Sequence, residues 1–301
     1  MTNQPWTKWG TAPGADGPTI FDVLEADWAA TSPLPATAPW GVYFTGDVDP
    51  TIYVESDEKT VTDYVGLTGL VHYRVGVKYG PATYPKKSGD GPQRFWPFDK
   101  FFCDVADGTL PRYTFIETLG GALPFPLPVP GAGYDFHPPG DVRNGDEVVR
   151  QIYEAIRTSG AKGGHDYTQD TMLLIVFDEH GGTYDHVEPP AATPPDDSPP
   201  EAADCTFDRL GVRVPAIAIS SFTLPGTIVN TEMHHAAVIK TLFGMSSGSV
   251  TYLTERDRPD TVADLGVACN GRRAAESPGA TWPALAGPVV PQCPVVPPTS
   301  P

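Results

Sequence analysis

Side chains that bind metal ions in proteins are concentrated between positions 178 and 186. They are Asp178, Glu179, His180, Asp185 and His186. Carboxylate oxygens together with imidazole nitrogens suit Zn, Mn, Mg or Ca, and these residue types do not choose among the four ions. Any one of these side chains alone would usually be a solvated loop residue, but together they have the density that a metal site needs. We therefore predict a divalent metal ion bound in this stretch.

The glycine pair Gly181-Gly182 lies in the middle of this stretch and predicts a tight turn, because glycine adopts positive φ without a Cβ clash. The apolar run from Met172 to Phe177 precedes it and predicts a strand buried on both faces, as in a parallel sheet covered by helices. Asp178 and Glu179 would then lie beyond the carboxyl end of a strand, where open α/β sheets bind ligands. Because strand side chains alternate, one carboxylate would bind a metal while the other orients it or binds a second ion.

Other elements must position this strand and its loop. We predict helices over residues 18–26, 95–108, 144–159 and 231–243, and strands over residues 41–46, 110–117 and 212–220. Asn144 is the predicted cap of the third helix, and that helix leads to the strand Met172 to Phe177. A helix followed by a buried strand is half of a doubly wound repeat, so the predicted fold class is α/β.

Two histidines outside the central stretch are further candidates. His137 precedes two prolines, which keep its backbone extended, and this stiffness suits a metal ligand or a contact to phosphate. His235 falls in the first turns of the helix over residues 231–243, where its ring can face the same crevice. Glu117 ends the strand over residues 110–117 and is also a candidate; its alternative is an exposed loop acid.

The composition favours one domain with many loops. The chain has 301 residues, of which 40% are hydrophobic, 31 are Gly and 35 are Pro. We predict a domain over residues 1–265 and a poorly packed tail rich in Pro, Ala and Gly over residues 266–301. With 20 basic and 37 acidic residues the formal net charge is −17, which argues against a charge-driven grip on nucleic acid or on an anionic membrane. No run of residues is apolar and long enough for a transmembrane helix.

The cysteines leave the redox compartment open. They are Cys103, Cys205, Cys269 and Cys293. Their spacing is too wide for a metal knuckle, and three pairings are possible. A bridge between Cys269 and Cys293 would fasten the tail and suit an oxidising compartment, whereas buried free thiols are the alternative. The start of the chain, MTNQPWTKWG, lacks the basic and apolar regions of a signal peptide.

The central string TMLLIVFDEHGGTYDHVEPP resembles the phosphoesterase family of phosphatidylcholine-type phospholipases C and related acid phosphatases. The strings HPPGDVRNGDEVVRQIYEAIRTS before it, and FDRLGVRVPAIAISSF and HHAAVIKTLF after it, resemble the same family, over about residues 18–265. The resemblance implies an alkaline-phosphatase-like α/β/α sandwich with a mostly parallel sheet. It also implies hydrolysis of phosphate esters or phospholipids with a bound divalent metal ion, and an extracellular or periplasmic location.

The same resemblance assigns roles to residues. Asp178 and Glu179 match the metal carboxylates, and His137 matches a metal or phosphate contact. His180, His186 and His235 match positions that support the site or contact the substrate. The stretch MHHAA departs from the DHTS usual in the family, with His235 in register, and this departure puts substrate specificity in doubt.

Two family features are expected from the resemblance but are not found in this sequence: an ENxSFDH-like metal-binding segment and a hydroxyl nucleophile in the first half of the domain. The expected fold therefore lacks its N-terminal part. Three interpretations stay open. The chain is a phosphoesterase that works with a missing N-terminal half or with a substitute nucleophile, a catalytically silent metal- or lipid-binding relative, or a truncated reading frame of an ordinary enzyme.

Overall fold

A computed structural model describes residues 19–31, 38–45, 94–118, 123, 125–130, 133–161, 164–196, 206–246, 251–271 and 282–287. The chain divides into two compact units. The sheet unit comprises Ala36–Thr171 and Ala274–Pro301, and the motif unit comprises Met1–Pro35 and Met172–Arg273. The helices and strands within them confirm the α/β class.

The sheet unit is built on three parallel strands in the order β2-β1-β3. Their bounds are Trp40–Thr45 for β1, Phe95–Pro97 for β2 and Tyr113–Thr118 for β3. The central strand β1 is buried along its whole length, and its Val42 pairs with Phe95 on one side and Phe115 on the other. The expected parallel sheet is therefore present in this unit, and its buried central strand is typical of parallel sheets.

Helix α2, Phe98–Asp107, packs an aromatic face into the core of the sheet unit. Phe101 and Phe102 are 1% and 3% exposed, and their rings meet edge to face at 5.3 Å. The helix ends at Gly108, whose φ of 72° is the left-handed conformation of a helix C-cap. The predicted helix with a terminal glycine is confirmed, although residues 95–97 form β2, because Pro97 disfavours helix in the residue before it.

Helix α3, Val142–Thr158, begins two residues earlier than predicted, and its cap is Asp141. The Asp141 side chain accepts a hydrogen bond from the Arg143 N–H at 3.1 Å. The prediction of Asn144 as the cap is therefore wrong. Asn144 is fully buried, and its amide holds the preceding loop: Nδ2 donates to the carbonyl oxygens of Val129 and Gly133, and Oδ1 accepts from the Val129 N–H.

Residues 282–287 pack against α3, contrary to the expectation of a poorly packed tail. Trp282 is 1% exposed and stacks on Tyr153 with ring centroids 5.1 Å apart. The Tyr153 hydroxyl donates to the carbonyl oxygen of Pro283, and the Leu285 N–H donates to Glu154 Oε1, both at 2.8 Å. Trp282 therefore belongs to the core of the sheet unit, whereas residues 283–287 are exposed.

The two described cysteines differ in their redox state. Cys103 takes part in a disulfide, whereas Cys269 is an exposed free thiol. The suggested bridge between Cys269 and Cys293 is therefore wrong. Cys205 and Cys293 themselves lie outside the described residues.

The motif unit contains a two-stranded antiparallel sheet of β4, Met172–Val176, and β5, Ala216–Ser220. The prediction of a strand buried on both faces of a mostly parallel sheet is wrong here, since Val176 is 43% exposed and Ile217 is 52% exposed. The physical reason is the connection between the strands. The segments that follow β4 and precede β5 pair with each other, so the chain returns as a ribbon, and antiparallel strands need no crossover helix and can leave one face in water.

Two α-helices and the short 3₁₀ helix Leu265–Ala268 complete the described part of the motif unit. Helix α1, Ile20–Thr31, starts with a reciprocal cap in which Asp22 Oδ2 accepts from the Thr19 N–H at 3.0 Å and Thr19 Oγ1 accepts from the Asp22 N–H at 3.3 Å. Helix α4, Ala236–Gly244, lies against α1 and is shorter than the predicted helix over residues 231–243. Among the described residues, no helix has the length and apolar character needed to cross a lipid bilayer.

Candidate active site

The central motif forms a loop that protrudes from a two-stranded ribbon, and we call residues 177–184 the motif loop. Below the loop, β4 and β5 end at the pair Val176↔Ala216. Beyond the loop the two chains meet again at Asp185 and Arg213 and continue as an antiparallel pair, in which the Leu210 N–H donates to the carbonyl oxygen of Pro190 at 3.0 Å. Between these two points one chain of the ribbon has residues 177–184 and the other has residues 214–215. The longer segment therefore forms a loop.

The glycine pair turns the motif loop as predicted. Gly181 and Gly182 have φ values of 65° and 71°, in the region that favours glycine. Thr183 closes the turn, because its N–H and its hydroxyl both donate to the carbonyl oxygen of His180, at 3.2 and 2.7 Å. These contacts fix the conformation of the turn itself.

Asp178 and Glu179 lie at the start of the motif loop. Asp178 is exposed, and its Oδ1 accepts from the Glu179 N–H at 2.9 Å. Glu179 Oε2 accepts from the Gly181 N–H at 2.7 Å and lies 3.4 Å from His180 Nδ1. Because β4 ends at Val176, strand alternation does not decide where these two carboxylates point. The structure brings Glu179 and His180 together as a carboxylate–imidazole pair.

His235 reaches the start of the motif loop from the end of another element. It directly precedes α4, and its Nε2 lies 2.7 Å from the carbonyl oxygen of Phe177, the residue before Asp178. A carbonyl only accepts, so Nε2 carries the proton and Nδ1 of the neutral ring is the acceptor. The predicted proximity of His235 to this loop is therefore seen in the structure, while its part in chemistry stays a prediction.

The downstream end of the motif loop is held at Asp185. Its carboxylate accepts from the Val187 N–H at 3.0 Å and from Arg213 through Nε at 2.7 Å and Nη2 at 3.2 Å. The hydrogen bond from Val187, and then Arg213, lower the pKa of this carboxyl group. His186 is 80% exposed, with Nδ1 3.5 Å from Asp185 Oδ1. Arg213 was missed by the sequence reasoning, although it stands in the string FDRLGVRVPAIAISSF just before β5.

His137 belongs to the sheet unit, where a short segment is anchored at the carboxyl end of β1. The Tyr134 hydroxyl donates to Thr45 Oγ1 at 2.7 Å, and Thr45 is the last residue of β1. The His137 N–H donates to Asp135 Oδ1 at 2.9 Å, and the exposed ring has Nδ1 2.7 Å from the carbonyl oxygen of Pro138. His137 therefore lies in a segment tied to a strand end, the position where α/β sheets bind ligands.

Glu117 lies inside β3 rather than in a loop. It pairs with Phe44 and is half-buried. The alternative of an exposed loop acid is therefore wrong, because the strand continues through Thr118.

The donor set of the motif loop fits a divalent cation in part. Asp178 and Glu179 supply hard oxygens at the surface, and Mg²⁺ in particular is bound in proteins by one or two carboxylates together with waters and substrate phosphates. Within the described ranges, no cluster of three or more His, Cys, Asp or Glu side chains converges on a common point. The two carboxylates would therefore hold a cation together with ligands from water or substrate.

The chain combines an α/β fold with a carboxylate-bearing loop beyond a strand. Residues 40–245 match the phosphoesterase family, which is more than half of the chain. The chain belongs to the phosphoesterase family, and the resemblance inferred from the motifs is confirmed.

Several phospholipases C are similar to the chain. Non-specific phospholipase C6 of Arabidopsis thaliana is 39% identical over 172 residues, which is 52% of this chain and 30% of the relative. Non-specific phospholipase C1 of the same plant is 32% identical over 221 residues, or 66% of this chain and 38% of the relative. Phospholipase C B of Mycobacterium tuberculosis (strain CDC 1551 / Oshkosh) is 26% identical over 218 residues, or 67% of this chain and 36% of the relative. The matched part thus spans between 30% and 38% of these relatives.

Proposed function

We propose that this chain provides part of the active site of a divalent-metal-dependent phosphoric ester hydrolase of the phospholipase C type. The observation that carries the proposal is the motif loop: it presents Asp178, Glu179 and His180 beyond β4 and is fixed at its start by His235 and at its end by Asp185. Membership of the phosphoesterase family supports the reaction class. Relatives named phospholipase C support a phosphodiester of a phospholipid as the substrate.

The charge of the chain favours a bound cation for this function. The formal net charge is −17, so the field of the protein repels an anionic phosphate ester. A cation held at Asp178 and Glu179 would reverse the field locally. The need for a metal and the choice of a phosphate ester as substrate therefore support each other.

The residues of the motif loop have separable tasks in this mechanism. Asp178 and Glu179 hold the cation, and a bound divalent cation stabilises the charge that develops on phosphoryl oxygens. His180 lies beside the carboxylate of Glu179, and its imidazole is the group of the loop that can donate a proton to the leaving alkoxide. His186 lies just beyond the motif loop and is an exposed imidazole that can donate to a non-bridging oxygen.

The Cys103 disulfide supports the location implied by the family resemblance. Disulfides persist in oxidising compartments. We therefore propose an extracellular or periplasmic site of action.

The test is hydrolysis of a chromogenic phosphocholine diester and a chromogenic phosphate monoester, with Zn, Mn, Mg and Ca supplied in turn. We expect metal-dependent turnover of the diester, and a loss of at least about a hundredfold in Asp178→Asn, because one metal carboxylate is removed. Asp260→Asn is the matched control, since this aspartate is exposed and pairs with Arg258. Unchanged turnover in Asp178→Asn would contradict the assignment, and metal binding without turnover would favour a catalytically silent relative.

A further inference from the structure

The two ends of the motif loop are held by different kinds of contact. At the start, the pair Val176↔Ala216 and the His235 ring fix the backbone that leads into Asp178. At the end, the backbone leaves the loop at Asp185, whose carboxylate accepts two hydrogen bonds from Arg213 across the ribbon. The orientation of the loop beyond its turn therefore depends on one arginine of the opposite chain of the ribbon.

The geometry of this contact is that of a clamp. Nε and Nη2 of the planar guanidinium reach the two oxygens of one carboxylate, and such a fork fixes direction as well as distance. Asp185 Oδ1 also accepts from the Val187 N–H, and the Asp185 side chain is 14% exposed. The carboxylate therefore cannot turn without breaking hydrogen bonds with both Val187 and Arg213.

Stability is not what this clamp contributes. Arg213 is 61% exposed, and exposed ion pairs add little to the stability of a protein. The place of the contact is more informative than its strength: it closes the base of the loop that carries Asp178, Glu179 and His180. Its removal frees one end of that loop while the rest of the ribbon stays paired.

We propose that Arg213 is a positioning residue, which holds Asp185 so that the carboxylates of the motif loop keep the geometry needed to bind the cation and the phosphate ester. This inference rests on the proposed function. Arg213 itself is not assigned a contact with the substrate or with the reacting atoms.

The ribbon offers a matched control for this arginine. Arg209 lies on the same segment as Arg213 and pairs with Glu188 at 2.7 Å, and the two side chains are 58% and 79% exposed. This pair bridges the same two chains but lies farther from the motif loop. Arg209→Gln removes a charge and an ion pair of the same kind without freeing the base of the loop.

The first experiment compares kinetics of Arg213→Gln, Arg213→Lys and Arg209→Gln with wild type. We expect Arg213→Gln to lower kcat by about tenfold to a hundredfold, with the melting temperature nearly unchanged, because misplaced groups cost rate rather than stability. Arg213→Lys keeps the positive charge but not the forked guanidinium, so its kcat should lie between those of wild type and Arg213→Gln. An equal loss in Arg209→Gln, or a loss of melting temperature with unchanged kcat, would overturn the proposal.

The second experiment separates this inference from the proposed function, because it needs no turnover. Hydrogen exchange measured by mass spectrometry should become faster over residues 177–187 in Arg213→Gln and stay as in wild type in Arg209→Gln. Calorimetry with Mg²⁺ or Ca²⁺ should show a dissociation constant raised about tenfold in Arg213→Gln alone. Unchanged exchange and cation affinity would refute the clamp, whereas an inactive wild type that shows both effects would refute the hydrolase and keep the clamp.

Discussion

At the scale of single residues, His235 combines two possible tasks in one ring. Its Nε2 lies 2.7 Å from the carbonyl oxygen of Phe177 and so holds the backbone that enters the motif loop. Its Nδ1 is left as an acceptor for a proton or for a substrate group. A substitution that keeps the N–H donor to Phe177 but cannot transfer a proton can distinguish the two tasks.

We predict that His235→Gln preserves the motif loop but not turnover. The glutamine amide can donate to the Phe177 carbonyl as Nε2 does, so hydrogen exchange over residues 177–187 should stay within about twofold of wild type. It cannot transfer a proton, and positioned proton transfer contributes about a hundredfold or more. His235→Ala should lose turnover and also accelerate hydrogen exchange over residues 177–187, because the contact with the Phe177 carbonyl is lost.

His234→Gln is the control for this prediction, because His234 is the neighbouring half-buried histidine, whose pKa is lowered by burial. Full turnover in His235→Gln would show that the ring only positions the loop. Fast exchange in His235→Gln would show that the contact with Phe177 depends on an imidazole.

The candidate site shows what residue types can and cannot predict. The Gly181-Gly182 turn was predicted correctly from one short stretch, whereas the chemistry of Asp178, Glu179 and His180 stays a prediction. The contacts that fix this stretch could not be predicted from the sequence, because they join residues far apart in the chain. His235 is 58 positions from Phe177, and Arg213 is 28 positions from Asp185. Periodicity and motif spacing report local order, and nothing local marks such a pair.

At the scale of elements, α3 acts as a support for the segment that carries His137. Asn144 fastens Val129 and Gly133 to the first turn of the helix through three hydrogen bonds of 2.8 to 3.0 Å. Gly145 lets the Phe136 ring come so close that a Cβ would lie 2.4 Å from it. The helix thus fixes the chain on both sides of Tyr134, whose hydroxyl reaches the end of β1.

We predict that Asn144→Ala destabilises the protein by about 2–4 kcal/mol in urea unfolding. Three hydrogen bonds are lost, each worth about 0.5–1.5 kcal/mol, together with the packing of a fully buried side chain. Asp146→Ala on the exposed side of α3 is the control and should change stability by less than about 0.5 kcal/mol. A change below about 1 kcal/mol in Asn144→Ala would mean that water replaces the amide.

The elements themselves were predictable to different degrees. Helix α2 followed from its aromatic spacing and its terminal glycine. For α3 the position was predictable but the cap was not, since Asp141 and Asn144 are both good cap residues and burial decided between them. For β4 the apolar run predicted a strand correctly and its surroundings wrongly. Which strands pair depends on the path of the chain between them. Here the segment after the motif loop pairs with the segment before β5, so β4 and β5 are antiparallel.

At the scale of the whole molecule, the electrostatic balance is between repulsion from a net charge of −17 and attraction within local ion pairs. Exposed pairs such as Arg143–Asp141, with side chains 67% and 30% exposed, contribute little. More buried pairs such as Arg150–Glu147, at 13% and 12% exposure, are only weakly screened by salt. Added salt therefore acts mainly on the long-range repulsion among the excess carboxylates.

We predict that raising NaCl from about 10 mM to about 0.2 M at pH 7.5 raises the melting temperature by about 2–4 °C, which corresponds to roughly 1 kcal/mol for a chain of this size. The gain should shrink as the pH is lowered toward the sequence pI of about 4.6, because the excess negative charge is titrated away. Differential scanning calorimetry in matched buffers measures both slopes. A melting temperature that falls with salt at pH 7.5 would mean that local ion pairs outweigh the net repulsion. A gain that persists near the pI would mean that salt acts through preferential exclusion rather than through charge.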